Sequence, residues 1–282
     1  LQAVTQPGDT VVVESPTFYG ALQAIERLGL NAIEVSVDAE DGHSLEQLAE
    51  VFKNHDIKAC WLMTNFHNPT GTSLSAQKKQ RVIELANQHD VYVIEDDVYA
   101  ELYFSDSKPV ALKSFDTQER VLHCGSLSKS LCPGYRLGWV VNKRFNEAIQ
   151  KLQLMSTLSG SAPIQQGVAH YLQNDSYDNH LRKLRKTLQR RQQRFIELLE
   201  QYLPAQVNFY LPQGGYFLWL ALPKGVSSKT LYQALLAEQV TIAHGKLFSL
   251  DAQFENYLRL NTSLAADENV EQAIRKLGDL LH

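Results

Sequence analysis

Gly125-Ser126-Leu127-Ser128-Lys129-Ser130-Leu131-Cys132-Pro133-Gly134-Tyr135-Arg136-Leu137-Gly138-Trp139 is the stretch whose reading decides the fold. An apolar, strand-like segment, Val121 to Cys124, leads into it, and a second one, Leu137 to Val141, leads out. Loops that join the ends of buried strands carry sites more often than the strands do. Lysine is the side chain that condenses with a carbonyl. Arginine offers a planar fork to phosphate or carboxylate. Lys129 and Arg136 stand seven positions apart across a Pro-Gly turn, so both can face one small anionic aldehyde.

Two plainer readings compete. A lysine after a strand is commonly a solvated loop residue. Ser126 to Lys129 also spells S-x-x-K, as in serine acyl-transferases of the penicillin-binding type. That chemistry needs S-D-N and K-T-G elsewhere; neither occurs, and Pro133-Gly134 would break the helix that S-x-x-K should open.

Working outward, the upstream half alternates strand-like and helix-like segments. Thr10–Glu14, Ala32–Val37, Ala59–Thr64 and Val91–Glu95 read as strands. Tyr19–Leu28, Leu45–Phe52 and Ser75–His89 have helical spacing, with Ser75 as an N-cap. Such alternation predicts an α/β fold with a mostly parallel sheet flanked by helices. Downstream the texture changes to helices at Phe145–Met155, Pro163–Leu172 and Asp178–Tyr202. Short strands follow at Gln206–Tyr210, Tyr216–Leu220, Val240–Ala243 and Tyr257–Leu260, with helices at Lys229–Glu238 and Asn269–Leu281. The expected division is a large domain over 1–150 and connecting helices with a smaller C-terminal α+β domain over 151–282. The basic residues of Asp178–Tyr202 read as the exposed face of a helix rather than as a nucleic-acid contact.

Composition narrows the classes. The 282 residues carry a net charge of −4, which gives no nucleic-acid footprint, and no apolar run reaches the ~18 residues of a membrane span. Cys60, Cys124 and Cys132 make neither a disulfide framework nor a zinc pair, and no H-E-x-x-H occurs, so no metal is expected and a cytoplasmic setting is. Leu1-Gln2-Ala3-Val4 reads as the end of an apolar helix, and the chain is expected to be cut from a longer polypeptide.

Polar clusters follow three of the strands: Asn65-Phe66-His67-Asn68-Pro69-Thr70-Gly71, Asp96-Asp97-Val98-Tyr99, and the lysine loop. Turn chemistry explains any one of them; all three at matching strand ends suit a ligand at the open edge of a parallel sheet. A pyridoxal phosphate site needs an amine, a carboxylate for the ring nitrogen, donors for the phenolic oxygen and an anion cradle. Lys129, Asp96, the pair Asn68 and Tyr99, and the set Ser126, Ser128 and Arg136 can supply these, with Phe18 or Tyr19 as an aromatic face.

The ordered set N-P-T-G (68–71), D-x-x-Y (96–99), S-x-S-K-x-x-x-P-G-x-R-x-G-W (126–139) and Arg259 within Tyr257–Asn261 resembles class I/II aminotransferases of the fold-type I pyridoxal-phosphate superfamily. The resemblance implies that Lys129 is the Schiff-base lysine and proton shuttle. Asp96 pairs with the ring nitrogen, and Asn68 and Tyr99 bond the phenolic oxygen. Ser126, Ser128 and Arg136 hold the phosphate, Phe18 stacks on the ring, and Arg259, with Asn68, meets the α-carboxylate of an amino-acid or 2-oxo-acid ligand. It also implies a homodimer. The family's Ser/Gly-rich phosphate loop and N-terminal arm would precede residue 1. The wording of Glu14–Gly20, Ile94–Tyr99 and His123–Trp139 is most similar to the aminotransferase-like domain of MocR-type regulators of the GntR group. There DNA is held by a winged-helix domain that this chain does not include. A free-standing aminotransferase is the alternative, and both share these site residues.

Overall fold

The computed structural model describes residues 1–38, 42–251 and 253–281. Seven strands make the first sheet: β1 (Thr10–Ser15), β2 (Asn31–Asp38), β3 (Gly42–His43), β4 (Ile57–Leu62), β5 (Tyr92–Asp96), β6 (Val121–Ser126) and β7 (Gly138–Val141). Their order is β3-β2-β1-β4-β5-β6-β7, with β2, β1, β4, β5 and β6 parallel and the two edge strands antiparallel to their neighbours.

The strand sequences are near-continuous apolar runs because both faces are covered. Val12, Cys60, Leu62, Val93 and Val121 meet Leu48 and Phe52 of α2 (Leu45–Asn54) and Val82, Ile83 and Ala86 of α3 (Ala76–Gln88). Val11, Val13, Ala59, Ile94 and Leu122 point the other way, towards Ile25 of α1 (Tyr19–Arg27). Ser44 and Ser75 cap α2 and α3 by accepting from the N–H groups of Gln47 and Lys78.

The chain winds from β1 out to β2 and β3, then returns on the other side of β1 to build β4, β5 and β6. That reversal makes the carboxyl ends of β1 and β4 a topological switch point, where open α/β sheets bind ligands. Phe18, Asn68, Asp96 and Lys129 all lie at or just beyond carboxyl ends of parallel strands.

The helices α4 (Asn146–Thr157), α5 (Ala162–Asn174) and α6 (Tyr177–Tyr202) lead to a second, antiparallel sheet. It is ordered β10-β11-β9-β8, from β8 (Asn208–Phe209), β9 (Phe217–Ala221), β10 (Ala243–His244) and β11 (Tyr257–Asn261). Its own core joins Phe195, Leu198 and Leu199 of α6 to Leu218, Leu220 and Leu258. The same core takes in Leu231 and Leu235 of α7 (Ser228–Ala237) and Ile274 and Leu277 of α8 (Glu268–Asp279). Each fully buried leucine here contributes roughly 2–3 kcal/mol.

The basic side chains of α6 divide in use. Arg185 donates to Glu101 O and lies over the Tyr103 ring at 4.1 Å, and Arg191 donates to Ser263 O, whereas Lys183, Lys186 and Arg190 are exposed. The strand expected at Val240–Ala243 shrinks to Ala243–His244, because the Val240 N–H turns back to Leu235 O and ends α7. Leu1–Thr5 form one turn in which the N–H groups of Val4 and Thr5 donate to Leu1 O.

Candidate functional site

A cavity of about 400 Å³ opens at the carboxyl ends of the parallel strands. Phe18, Asn68, Asp96, Tyr99, Ser126, Ser128, Lys129, Arg136 and Arg259 all line it. Every site residue singled out in the sequence therefore meets in one place. Four different loops and one strand of the second sheet bring them there.

Asp96 ends β5. Side chains alternate along a strand, so Asp96 faces the cavity while Glu95 and Asp97 face α3. Burial pushes the Asp96 carboxyl up to about 6; the charge of Glu14 pushes the same way and that of Lys129 pulls it back. The Lys129 ammonium is held below its usual value, chiefly by burial and next by the charge of Arg136. Its Nζ lies 5.7 Å from the centre of the Tyr99 ring. A lysine with a depressed pKa has a larger fraction of neutral, nucleophilic amine. The Tyr99 phenol is pushed well above its usual value by burial and by neighbouring Tyr216, so it stays a donor.

Lys129 leaves β6 through a loop that closes on itself. Ser126 Oγ donates to Leu137 O at 3.1 Å and accepts from the Ser128 N–H at 3.0 Å. The Ser126 hydroxyl thus shapes the loop from the cavity wall. Arg136 takes a left-handed conformation, φ 50°, after the Pro133–Tyr135 turn, and its Nη1 reaches Ser128 Oγ at 3.4 Å. Ser128 Oγ and the exposed guanidinium together offer donors to an anion at that end of the cavity.

Arg259 sits on β11, opposite the lysine loop. Its guanidinium carbon lies 4.1 Å from the Phe217 ring centre and 5.1 Å from that of Phe248. Nη1 donates to Asn68 Oδ1 at 2.7 Å, while Nε is buried without a hydrogen-bond partner. A buried guanidinium N–H left unpaired is costly, and a ligand carboxylate would satisfy it. The cavity thus gathers three cations around one carboxylate, a balance suited to a ligand bearing more than one negative charge. Phe18 and Tyr19 both line it, their ring centres 4.9 Å apart.

The sequence reading missed the groups behind this wall. Glu14, 1% exposed, accepts from the Met63 N–H at 2.9 Å and lies 3.2 Å from His67 Nε2. His67 Nδ1 is 2.8 Å from Thr70 Oγ1. Glu14 ends an apolar run, and a carboxylate continuing such a run is the signal that could have exposed it.

The family profile for aminotransferase class I and II matches residues 1–277. The uncharacterized HTH-type transcriptional regulator YdcR of Escherichia coli (strain K12) is 48% identical over 281 residues, which is 100% of this chain and 60% of that protein. The chain spans about 60% of the length of the curated regulators it matches. Among solved structures, Pyrococcus horikoshii kynurenine aminotransferase in complex with PMP superposes with a TM-score of 0.92 at 29% identity, covering 99% of this chain and 70% of that one. LysN, the α-aminoadipate aminotransferase of Thermus thermophilus complexed with N-(5'-phosphopyridoxyl)-L-leucine, gives 0.91 at 29%, covering 99% and 72%.

Proposed function

Because this chain belongs to the class I and II aminotransferase family, we propose that it binds pyridoxal 5'-phosphate and serves as the effector-sensing and dimerisation domain of a GntR/MocR-type transcriptional regulator. The observation that carries the first half is the convergence of Lys129, Asp96 and Arg259 on one cavity. The second half is supported by the regulator YdcR, which matches along the whole chain and extends well beyond it. DNA is held by a part of the parent outside this chain. A cytoplasmic setting belongs to the same reading, supported by the three free cysteines; no helix among the described residues is long and apolar enough to cross a membrane.

The donor set fits the cofactor. Lys129 would hold its aldehyde carbon, Asp96 its ring nitrogen, Asn68 and Tyr99 its phenolic oxygen, and Ser128 and Arg136 its phosphate, with Ser126 keeping the loop closed and Phe18 against the ring. When bound, pyridoxal phosphate supplies an electron sink for charge released at the α-carbon of an amino acid. Arg259 orients such a ligand through its α-carboxylate. The Lys129 amine, its pKa lowered by burial, moves the proton on that α-carbon. With the cofactor bound, the Asp96 carboxylate would favour a proton on the ring nitrogen.

The same reading divides the chain into a large domain over 1–150 and connecting helices with a small domain over 151–282, and the two sheets with their separate cores support it. Dimerisation is supported by the exposed apolar side chains Trp139 and Val141 on β7 and Leu154, Met155 and Leu158 on and after α4.

The test is the visible absorption of the full-length protein with pyridoxal phosphate. Lys129→Ala should abolish the band of the covalently held cofactor; an unchanged band refutes the assignment. The intact Lys129, Asp96 and Arg259 set also supports a second reading, a free-standing aminotransferase. Rapid turnover of amino-acid and 2-oxo-acid pairs by the full-length protein would favour it over a pure sensor.

A further inference from the structure

One of the largest side chains sealed inside the described residues is a cation. Lys79 is 1% exposed and sits on α3 in line with Val82, Ile83 and Ala86, on the face that packs on the sheet. An ammonium in such a place is costly unless its donors are taken. Its Nζ donates to Asn65 Oδ1 at 2.5 Å and to Val110 O at 2.6 Å. Asn65, fully buried, passes the contact on by donating its amide N–H to Asp97 Oδ1 at 2.8 Å. Burial lowers the Lys79 pKa while the charges of Asp97 and Glu95 support it. Burial pushes Asp97 up to about 6, with Glu95 adding to the push and Asn65, His123 and Lys79 opposing it.

The groups tied by this ammonium connect, through chain or through a further hydrogen bond, to the segments that carry the cavity residues. Asn65 opens the loop that reaches Asn68 three residues later. Asp97 stands between Asp96 and Tyr99. Val110 leads into Leu112 and Lys113, whose N–H groups donate to Glu95 at 2.5 and 2.9 Å. The side-chain atoms of Glu95, Asp97 and His123 lie within 4.8 Å of one another, a spacing that would suit a metal ion. The Glu95 carboxylate, however, already meets four donors: these two N–H groups, Thr64 Oγ1 and His123 Nδ1. Glu95 is hydrogen-bonded to His123 and Asp97 to Asn65, and Lys79 adds counter-charge to both acids.

We propose that Lys79 is a positioning residue: from the far face of the sheet, through Asn65 and Asp97, it fixes the spacing of Asn68 from Asp96 and Tyr99, and so the seat of the cofactor ring. The inference rests on the reading of the cavity as a pyridoxal phosphate site. A role as counter-charge alone would be structural; a role in spacing the two loops shows in the cofactor itself.

The test uses the full-length protein, pyridoxal phosphate as the probe, and two readouts, thermal stability and the affinity and absorption maximum of the bound cofactor. Lys79→Met removes one of the two cations that support the Asp97 charge, and lowers both stability and affinity. Lys79→Met with Asp97→Asn removes both charges, so stability returns towards wild type. In that double variant the tie is still cut, and affinity is expected to stay about tenfold down with a shifted absorption maximum. Asn65→Ser cuts the tie while keeping both charges, and is expected to behave likewise; it decides the matter if the double variant does not fold. Recovery of affinity and absorption maximum together with stability overturns the proposal, as does wild-type affinity in Lys79→Met or in Asn65→Ser. Absence of a cofactor band in the wild type, with Lys129→Ala as the blank, overturns the reading of the cavity and this proposal with it.

Discussion

Arg259 Nη1 donates to Asn68 Oδ1 at 2.7 Å, and this bond joins the second sheet to the first across the mouth of the cavity. It uses the amide oxygen of Asn68 and leaves the amide N–H groups to face a ligand. It also holds the guanidinium between Phe217 and Phe248 with its buried Nε unpaired. The arginine is therefore set in place before any carboxylate arrives, which lowers the ordering cost of binding.

Arg259→Ala is expected to weaken amino-acid binding by about 10- to 100-fold, the range for losing a charge-assisted pair. Cofactor affinity should stay within roughly twofold, since the other donors to the ring and phosphate remain. Titrating the absorbance of the loaded full-length protein with amino acids measures the first quantity. Unchanged amino-acid affinity would remove Arg259 from its role.

Asp96 gives a pH signature in the cofactor-free protein. Its folded carboxyl titrates at about 6 against 3.8 unfolded. Between these values the folded state binds more protons than the unfolded one, so this group's contribution to stability falls as pH rises through that window. The shift corresponds to about 3 kcal/mol. Asp96→Asn should therefore make the cofactor-free protein more stable than wild type at pH 7, with the gain shrinking towards pH 4. Urea unfolding at the two pH values measures it; a difference that does not vary with pH contradicts the shift.

Glu95 and His123 titrate in opposite senses. Burial alone would raise Glu95, yet the His123 hydrogen bond and the N–H groups of Lys113 and Leu112 bring it below 4.5. The same hydrogen bond, with burial opposing, lifts His123 above 6.5. The histidine's contribution is full below 6.5 and is lost as pH rises through its raised value. The glutamate's is full above 4.5 and is lost as pH falls through its lowered value. The stability gap between wild type and His123→Ala should be widest between those limits and narrow on the alkaline side. Unfolding midpoints across pH 4 to 9 would show it, and a gap that grows with pH would count against the pairing.

Gly71 lies in the left-handed region, φ 77°, and a Cβ there would collide with the ring of Pro212. Gly71→Ala combines backbone strain with a steric clash and should cost about 1–3 kcal/mol. The loop that carries Asn68 would shift with it, so cofactor affinity should fall as well. A denaturation midpoint equal to wild type would contradict the clash.

Much of the fold could be read locally. Apolar runs such as Thr10–Glu14 and Val91–Glu95 signal strands covered on both faces, and the helical spacing of Ser75–His89 signals a helix packed on one side; periodicity is a property of neighbours in sequence. Lys79 shows where that reading stopped. It sits at i, i+3, i+4 and i+7 with Val82, Ile83 and Ala86, a pattern that marks it as inward-facing, yet a lysine on a helix is read as solvated unless its partners are known. Those partners are Asn65 and Val110, 14 and 31 residues away.

The chain's order of residues determined the strand-helix alternation, the chemistry available in each loop and the family, because each depends on short-range pattern and residue type. Tertiary structure alone decided that Arg259 meets Asn68 across 191 residues, that Asp96 faces the cavity while Asp97 faces Lys79, and that burial shifts the acid and the amine towards each other. Contact and desolvation depend on what surrounds a group in space, and a linear sequence does not contain that surrounding until the sheets have packed.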